Sequence, residues 1–298
     1  MFLHAVELHT VASLGQRAVV DNMVIQPQRS DDGSAVSAAR KIEKQLLIDA
    51  LKHLEGNEIV FLDPARIRET IERYPDEILG LKVRLSRNIV GDLGSRPLAR
   101  AIETGENLGL PVCVHTTDPP VSAVEIAKML RPGDIYCHMY QGRGHTILDE
   151  SGRVWPELFE AQRRGVVFEV GHGSMNFDAR IAGESVKQGF WPDIISSDST
   201  VNTFHKSETM WDLPHVLSKF LTMGMPLHRA IQAVISVPAD RLGLRGLIGR
   251  LEKGYAAELT VCRITKREVS GAICASLQEE TSLTPQMTIR GTEVIYPE

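Results

Sequence analysis

The sequence predicts an α/β fold of the (β/α) barrel type, and three observations carry that expectation. Short β-branched apolar runs alternate with helical stretches through most of the chain, and parallel strands need a crossover helix between them. The number of such units favours a barrel over an open doubly wound sheet. No glycine-rich nucleotide fingerprint follows an early strand; Gly142-Arg143-Gly144 sits in a loop with no third glycine in place.

The elements follow in order. Residues 2–6 read as a strand, 26–37 as a polar loop and 41–53 as an amphipathic helix. Strands are expected at 78–82, 111–115, 134–138, 166–171 and 193–198, each an apolar run. Helices at 96–108, 123–130, 156–164 and 178–188 lie among them. Arg131-Pro132-Gly133 and Gly189-Phe190-Trp191-Pro192 punctuate two of the joins. Two more helices are expected at 211–223 and 227–236, after which the tail changes character. There, 254–261 reads as a turn and strand and 286–296 as a strand pair. The expected organisation is a barrel over 1–245 and part of a small β-sandwich over 246–298.

Composition narrows the class. The 298 residues are 43% hydrophobic and 24% charged, which excludes disordered, collagen-like and coiled-coil readings. A net charge of -5 predicts no general attraction to nucleic acid or to an anionic membrane. No apolar run reaches the roughly 18 residues of a membrane helix, and the first residues do not resemble a signal peptide. Four cysteines in a chain of this length make no disulfide framework, so a reducing cytoplasm is expected. The expected partner is a small-molecule substrate, and a homo-oligomer is left open.

The polar residues are the informative ones. Lys82, His115, His138 and Asp198 each stand at the carboxyl end of an apolar run, and His172 lies just beyond another. In a barrel these ends share one face, where active sites of this architecture assemble. Two histidines, a carboxylate and a lysine converging there suit a metal-dependent hydrolase. A single histidine at a strand end is more often a hydrogen-bonded structural residue, but five polar residues in one pattern weigh against coincidence. Lys82 cannot bind a cation as an ammonium group. It either reacts with carbon dioxide to become an anionic carbamate, anchors a substrate carboxylate, or forms a salt bridge. Asp198 either caps a turn or binds metal and takes a proton from water, whose pKa a metal lowers to about 7. Cys113 should share the inner side with His115, and Cys137 should face the helices; both read as packing residues. His145, His205 and His215, in loops or at helix starts on the active-site side, read either as substrate contacts or, the preferred reading, as surface histidines.

Several segments together resemble the amidohydrolase superfamily, within it the dihydroorotase-like deacetylase branch. They are Gly-Leu-Lys-Val-Arg-Leu-Ser at 80–86, Val-His-Thr at 114–116, Gly-Asp-Ile-Tyr-Cys-His at 133–138, Val-Phe-Glu-Val-Gly-His-Gly at 167–173 and Ile-Ser-Ser-Asp at 195–198. Asp-Leu-Pro at 212–214, Pro-Ala-Asp-Arg-Leu-Gly-Leu at 238–244 and Gly-Tyr-Ala-Ala-Glu-Leu-Thr-Val at 254–261 are similar to its closing segments. The resemblance runs from about residue 70 to the end. It implies that Lys82 is an N6-carboxylated metal ligand, that His115 and His138 are metal ligands, and that Asp198 is both a ligand and the catalytic proton shuttle. It places His172 near the substrate, and Arg84, two residues after Lys82, on the same side as a substrate-binding candidate. The metal implied is zinc, one or two ions. The chemistry implied is hydrolysis of an amide or ester of a small acylated amino or hydroxy acid by metal-bound hydroxide.

One departure matters. The superfamily opens its barrel with a His-x-His strand, which is absent here; His4 and His9 are five residues apart and cannot share a strand face. Residues 2–8 better resemble the family's third strand, so the two leading strands are expected to be missing. A start set too far downstream and a degraded remnant are preferred over a rearranged one-metal protein. The alternatives in function are a catalytically impaired remnant or binding protein, and a dihydroorotase-like cyclic amidase.

Overall fold

The computed structural model describes residues 18–20, 23–25, 64–73, 78–199, 212–268 and 279–296. Two sheets organise them. In the larger, β1 (Ala18–Val20) pairs antiparallel with β2 (Met23–Ile25), and β2 runs antiparallel to β3 (Ile78–Arg84). From there β3, β4 (Val112–His115), β5 (Ile135–Cys137) and β6 (Val167–Glu169) are parallel neighbours in chain order. Sequential parallel neighbours with helical crossovers are the progression of a (β/α) barrel; a doubly wound sheet reverses its order.

The helix α1 (Pro64–Arg73) precedes β3. The short α2 (Arg87–Val90) and then α3 (Arg96–Leu108) connect β3 to β4, α4 (Ala123–Met129) connects β4 to β5, and α5 (Pro156–Arg164) connects β5 to β6. Next come α6 (Ala179–Lys187), α7 (Leu213–Thr222), α8 (Leu227–Val234) and α9 (Ser236–Arg241). Local chemistry sets their ends. Ser122, Asp178 and Asp212 each accept a backbone N–H in the first turn of the helix that follows. Gly165, at φ 105, closes α5 in a conformation a side chain would strain.

Two apolar clusters lie on the two faces of the sheet. The larger packs Leu81, Val83, Val112, Val114, Tyr136 and Phe168 against the helices. The smaller holds Cys113, Ile135, Cys137, Val167, Ile194 and Leu242 on the inner, concave side. Alternation along β4 assigns its residues: Val112 and Val114 go out to the helices, and Cys113 goes in. At the base of β5, the buried Asp134 carboxylate accepts from the backbone of Val112 and from the Arg131 backbone and guanidinium. That one side chain ties β4 to the turn that starts β5.

The helices expected at 96–108 and 156–164 are present with those bounds, and the others described differ by a residue or two at their ends. The strand expected at 193–198 is different. Among the described residues its one ladder contact is a parallel bridge, Glu169 to Ile194. The segment still runs beside residues 170–173, which donate backbone N–H groups to Ile194, Ser196 and Ser197. The serines account for the difference. Ser196 Oγ donates to Glu169 at 2.7 Å and accepts from the Gly171 backbone, while Ser197 and Ser199 bond each other at 2.8 Å. Such side chains offer a backbone alternatives to a regular ladder. The elements expected at 2–6, 26–37 and 41–53, and His4, His9 and His205, lie outside the described residues.

The second sheet is antiparallel: β7 (Glu258–Glu268), β8 (Glu279–Arg290) and β9 (Glu293–Tyr296). It docks on α7. Leu283 enters the larger cluster, its backbone N–H donates to Ser218 Oγ at 2.9 Å, and Thr281 N–H donates to Thr222 Oγ1. No helix among the described residues is long and apolar enough to cross a membrane.

Candidate active site

Side chains paired in register across a parallel sheet point to the same side. Arg84 pairs with His115, His115 with Cys137, and Cys137 with Glu169. These four therefore form one layer at the carboxyl ends of the strands. Lys82 pairs with Cys113, one layer deeper.

This register corrects the placement of Cys137. The sequence puts it toward the helices because it precedes His138 by one residue; the structure turns it inward. The strand ends at Cys137, so the alternation stops there. His138 reaches the same mouth because its backbone is left-handed, with φ 64. Its ring meets that of His115 edge-on, with centroids 4.4 Å apart. Asp198 is likewise left-handed, with φ 50. Backbone strain of this kind, of order 1–3 kcal/mol per residue, persists where the surroundings impose it.

The loop after β6 supplies much of that imposition. A side chain at Gly171 would put its Cβ 2.6 Å from His138 Nδ1, and one at Gly173 would sit 2.7 Å from Asp198 Oδ2. Both glycines also have positive φ, 47 and 50. His138 Nδ1–H donates to the Gly171 carbonyl at 2.7 Å. A carbonyl can only accept, so the lone pair of this ring is on Nε2. Asp198 Oδ2 accepts from Asn176 Nδ2 at 3.1 Å, and Asn176 in turn accepts from Thr117 at 2.8 Å.

Lys82 lies half-buried on the inner face. Burial acts to lower the pKa of its ammonium, but the neighbouring Cys137, Cys113, Asp198 and Glu169 outweigh it and raise the value. A cavity of about 430 Å³ opens above, lined by Arg84, His115 and Asp198 together with Asn88, Arg143 and Asn176. The structure thus brings Lys82, His115, His138, Asp198 and Arg84 to one end of the sheet.

His172 is placed differently. It is buried with its ring stacked on Phe177 at 4.3 Å, and it is not among the residues lining the cavity. Its Nδ1–H donates to the Gly173 carbonyl at 2.7 Å, so Nε2 accepts from Lys219 Nζ of α7 at 2.9 Å. Burial, with the Lys219 charge added, lowers the His172 pKa to about 3; burial lowers that of Lys219 to about 8. Of the remaining histidines, His145 is exposed and His215 is half-buried on α7.

Sequence reasoning passed over Glu169 and Asn176. Glu169 carried a weaker signal, a carboxylate inside the apolar run at 166–171, and becomes a strand end only in the structure. Asn176, in an irregular loop, carried none.

The donor set fits a divalent cation. His138 has its remote nitrogen fixed by a carbonyl, which is how metal-ligating histidines are oriented. Imidazole nitrogen from His115 and His138 and carboxylate oxygen from Asp198 are donors suited to zinc. Lys82 fits only as an anion.

No family model matches the chain. A deacetylase of Enterococcus faecalis is 30% identical over 205 residues, covering 68% of this chain and 55% of that protein. A deacetylase of Agrobacterium fabrum is 31% identical over 212 residues, covering 70% of this chain and 50% of that protein. The chain spans about half the length of the curated relatives it matches. Among solved structures, an adenine deaminase matches with a TM-score of 0.69 at 26% identity, over 80% of this chain and 65% of that one. A dihydroorotase matches with a TM-score of 0.69 at 28% identity, over 80% of this chain and 62% of that one. Fold and site together define a (β/α)-barrel protein with a candidate metal centre at the carboxyl ends of its strands. The chain belongs to the amidohydrolase superfamily.

Proposed function

We propose that this chain carries the catalytic face of a metal-dependent, deacetylase-like hydrolase acting on a small acylated amino or hydroxy acid. The observation that carries this reading is the convergence of His115, His138, Asp198 and Lys82 beside one cavity with Arg84 on its wall. The deacetylase relatives support the reaction class.

His115, His138 and Asp198 would hold the ion, zinc by the nature of the donors, and Lys82 would join them as a carbamate. A zinc-type ion supplies Lewis acidity and lowers the pKa of water to about 7. The remaining steps fall to side chains. Asp198, oriented by Asn176, accepts the proton released as water attacks the acyl carbon and returns it to the leaving amine or alcohol. Arg84 faces the carboxylate of the substrate from the cavity wall. His172, buried on Lys219, acts on the loop that holds His138 and Asp198 and makes no substrate contact.

The test is hydrolysis of N-acetyl amino acids and O-acetyl hydroxy acids by the zinc-loaded 298-residue chain, with dihydroorotate assayed beside them. Deacetylation that falls at least about 100-fold in Asp198→Asn supports the proposal. Undiminished activity in that variant overturns the assignment of the proton shuttle. Activity confined to dihydroorotate favours the cyclic-amidase reading, and zinc binding with no hydrolysis favours an impaired or binding protein.

A further inference from the structure

On the inner face at the mouth, spanning its layer and the one below, lies a cluster that the hydrolytic reading leaves unused. The two Sγ atoms of Cys113 and Cys137 and a carboxylate oxygen of Glu169 all lie within 4.8 Å of one another, and all three residues are buried. They stand on three successive parallel strands, β4, β5 and β6, so the sheet itself fixes their spacing. We propose that Cys113, Cys137 and Glu169 form a buried site for a thiophilic divalent cation, with zinc the ion their donors suit.

The distances agree with that assignment. Zinc binds thiolate sulfur at about 2.3 Å and carboxylate oxygen at about 2.0–2.2 Å, which sets tetrahedral donors about 3.5–3.8 Å apart. Closing this cluster onto an ion takes side-chain shifts of about 1 Å. Two sulfurs and one oxygen select zinc over magnesium or calcium, which prefer all-oxygen shells. Three protein donors leave the fourth position open, the arrangement of zinc sites that exchange a ligand. As each metal–sulfur bond forms, a thiol proton passes to solvent.

The second shell is also in place. Ser196 Oγ donates to Glu169 Oε1 at 2.7 Å and itself accepts from the Gly171 backbone, so the carboxylate is aimed from behind. Lys82 pairs in register with Cys113 and faces the cluster. Two thiolates and a carboxylate carry three negative charges against two on the ion, and an ammonium on Lys82 balances the remainder. A filled thiolate site and a carboxylated Lys82 are therefore alternative states of the same chain. This inference concerns a different donor set from the His115–His138–Asp198 centre, and the two fail separately.

Zinc K-edge absorption of the His115→Ala/His138→Ala double variant, loaded with one equivalent of zinc, tests it with the histidine centre removed. Two sulfur scatterers at about 2.3 Å are expected; a shell of nitrogen and oxygen only, or no bound zinc, overturns the site. Cobalt titration localises the sulfur. A near-ultraviolet sulfur-to-cobalt charge-transfer band is expected in the native chain and in the His115→Ala/His138→Ala double variant, and its loss is expected in Cys113→Ser/Cys137→Ser. Persistence of the band in the double serine variant would assign the sulfur to Cys262 or Cys274 and end the proposal. Glu169→Gln keeps the band and weakens cobalt binding at least tenfold, and unchanged affinity there removes Glu169 from the site.

Discussion

Two residues explain why the mouth of this barrel is ordered as it is. Gly171 and Gly173 stand against His138 and Asp198 at distances no side chain tolerates, and His172 between them points the opposite way, into Phe177 and Lys219. Gly171→Ala is expected to cost about 1–3 kcal/mol from its left-handed backbone and from displacement of the His138 ring. Thermal or urea denaturation checks the stability, and zinc affinity reports the displaced ring. His172 sets an acid limit. Its folded pKa of about 3 lies below the unfolded value of 6.5, so the stability it contributes is complete above pH 6.5. That stability is expected to drain away as the pH falls from 6.5 toward 3. Lys219→Met removes the neighbouring charge, so the loss on acidification should be smaller than in the native chain. An unchanged dependence of urea midpoint on pH in that variant would show that burial alone sets the shift.

Elements show a second pattern, in which short strands are held by side chains as much as by ladders. Asp134 joins the start of β5 to β4 and to Arg131, and it is buried at 1% exposure. Asp134→Ala leaves the Val112 amide and part of the Arg131 guanidinium without their acceptor, for an expected loss of about 3–5 kcal/mol. Chemical denaturation would measure it, and a loss below about 1 kcal/mol would mean that water replaces the carboxylate. The helices were legible in the sequence because their punctuation is local: Ser122, Asp178 and Asp212 at starts, Gly165 at an end. Strand ends were less so. The register that turns Cys137 inward comes from its pairing with His115 and Glu169, residues at least 22 positions away, which no single strand encodes. Residues 193–198 have the apolar start of a strand, but buried serines divert their backbone to other partners.

At the scale of the molecule, the site was more legible than the elements that build it. Lys82, His115, His138 and Asp198 came from four chain segments, and strand-end position alone pointed them to one face. Glu169 did not meet that criterion in the sequence, because it stands inside the apolar run at 166–171; the strand ends at it only in the structure. The small sheet reads in the sequence as a turn-and-strand tail, but its attachment to α7 through Ser218, Thr222 and Leu283 depends on tertiary packing. Because an ion would bridge side chains from several strands and the segment at 194–198, binding should stabilise the whole fold. Zinc at a hundredfold excess over its Kd is expected to raise unfolding free energy by about 2.7 kcal/mol, and a chelator to abolish the gain. A melting temperature indifferent to both would mean that the folded and unfolded chains bind zinc equally.

The left-handed backbone at His138 and Asp198 also bounds what these positions can become. Asparagine, aspartate and histidine are the side chains that enter that conformation most readily, whereas valine, isoleucine and threonine resist it. A library randomised at both codons should therefore return folded survivors drawn mainly from a short, polar alphabet that is itself rich in coordinating atoms. Drift at these two places would exchange one donor for another more readily than it would erase the donor.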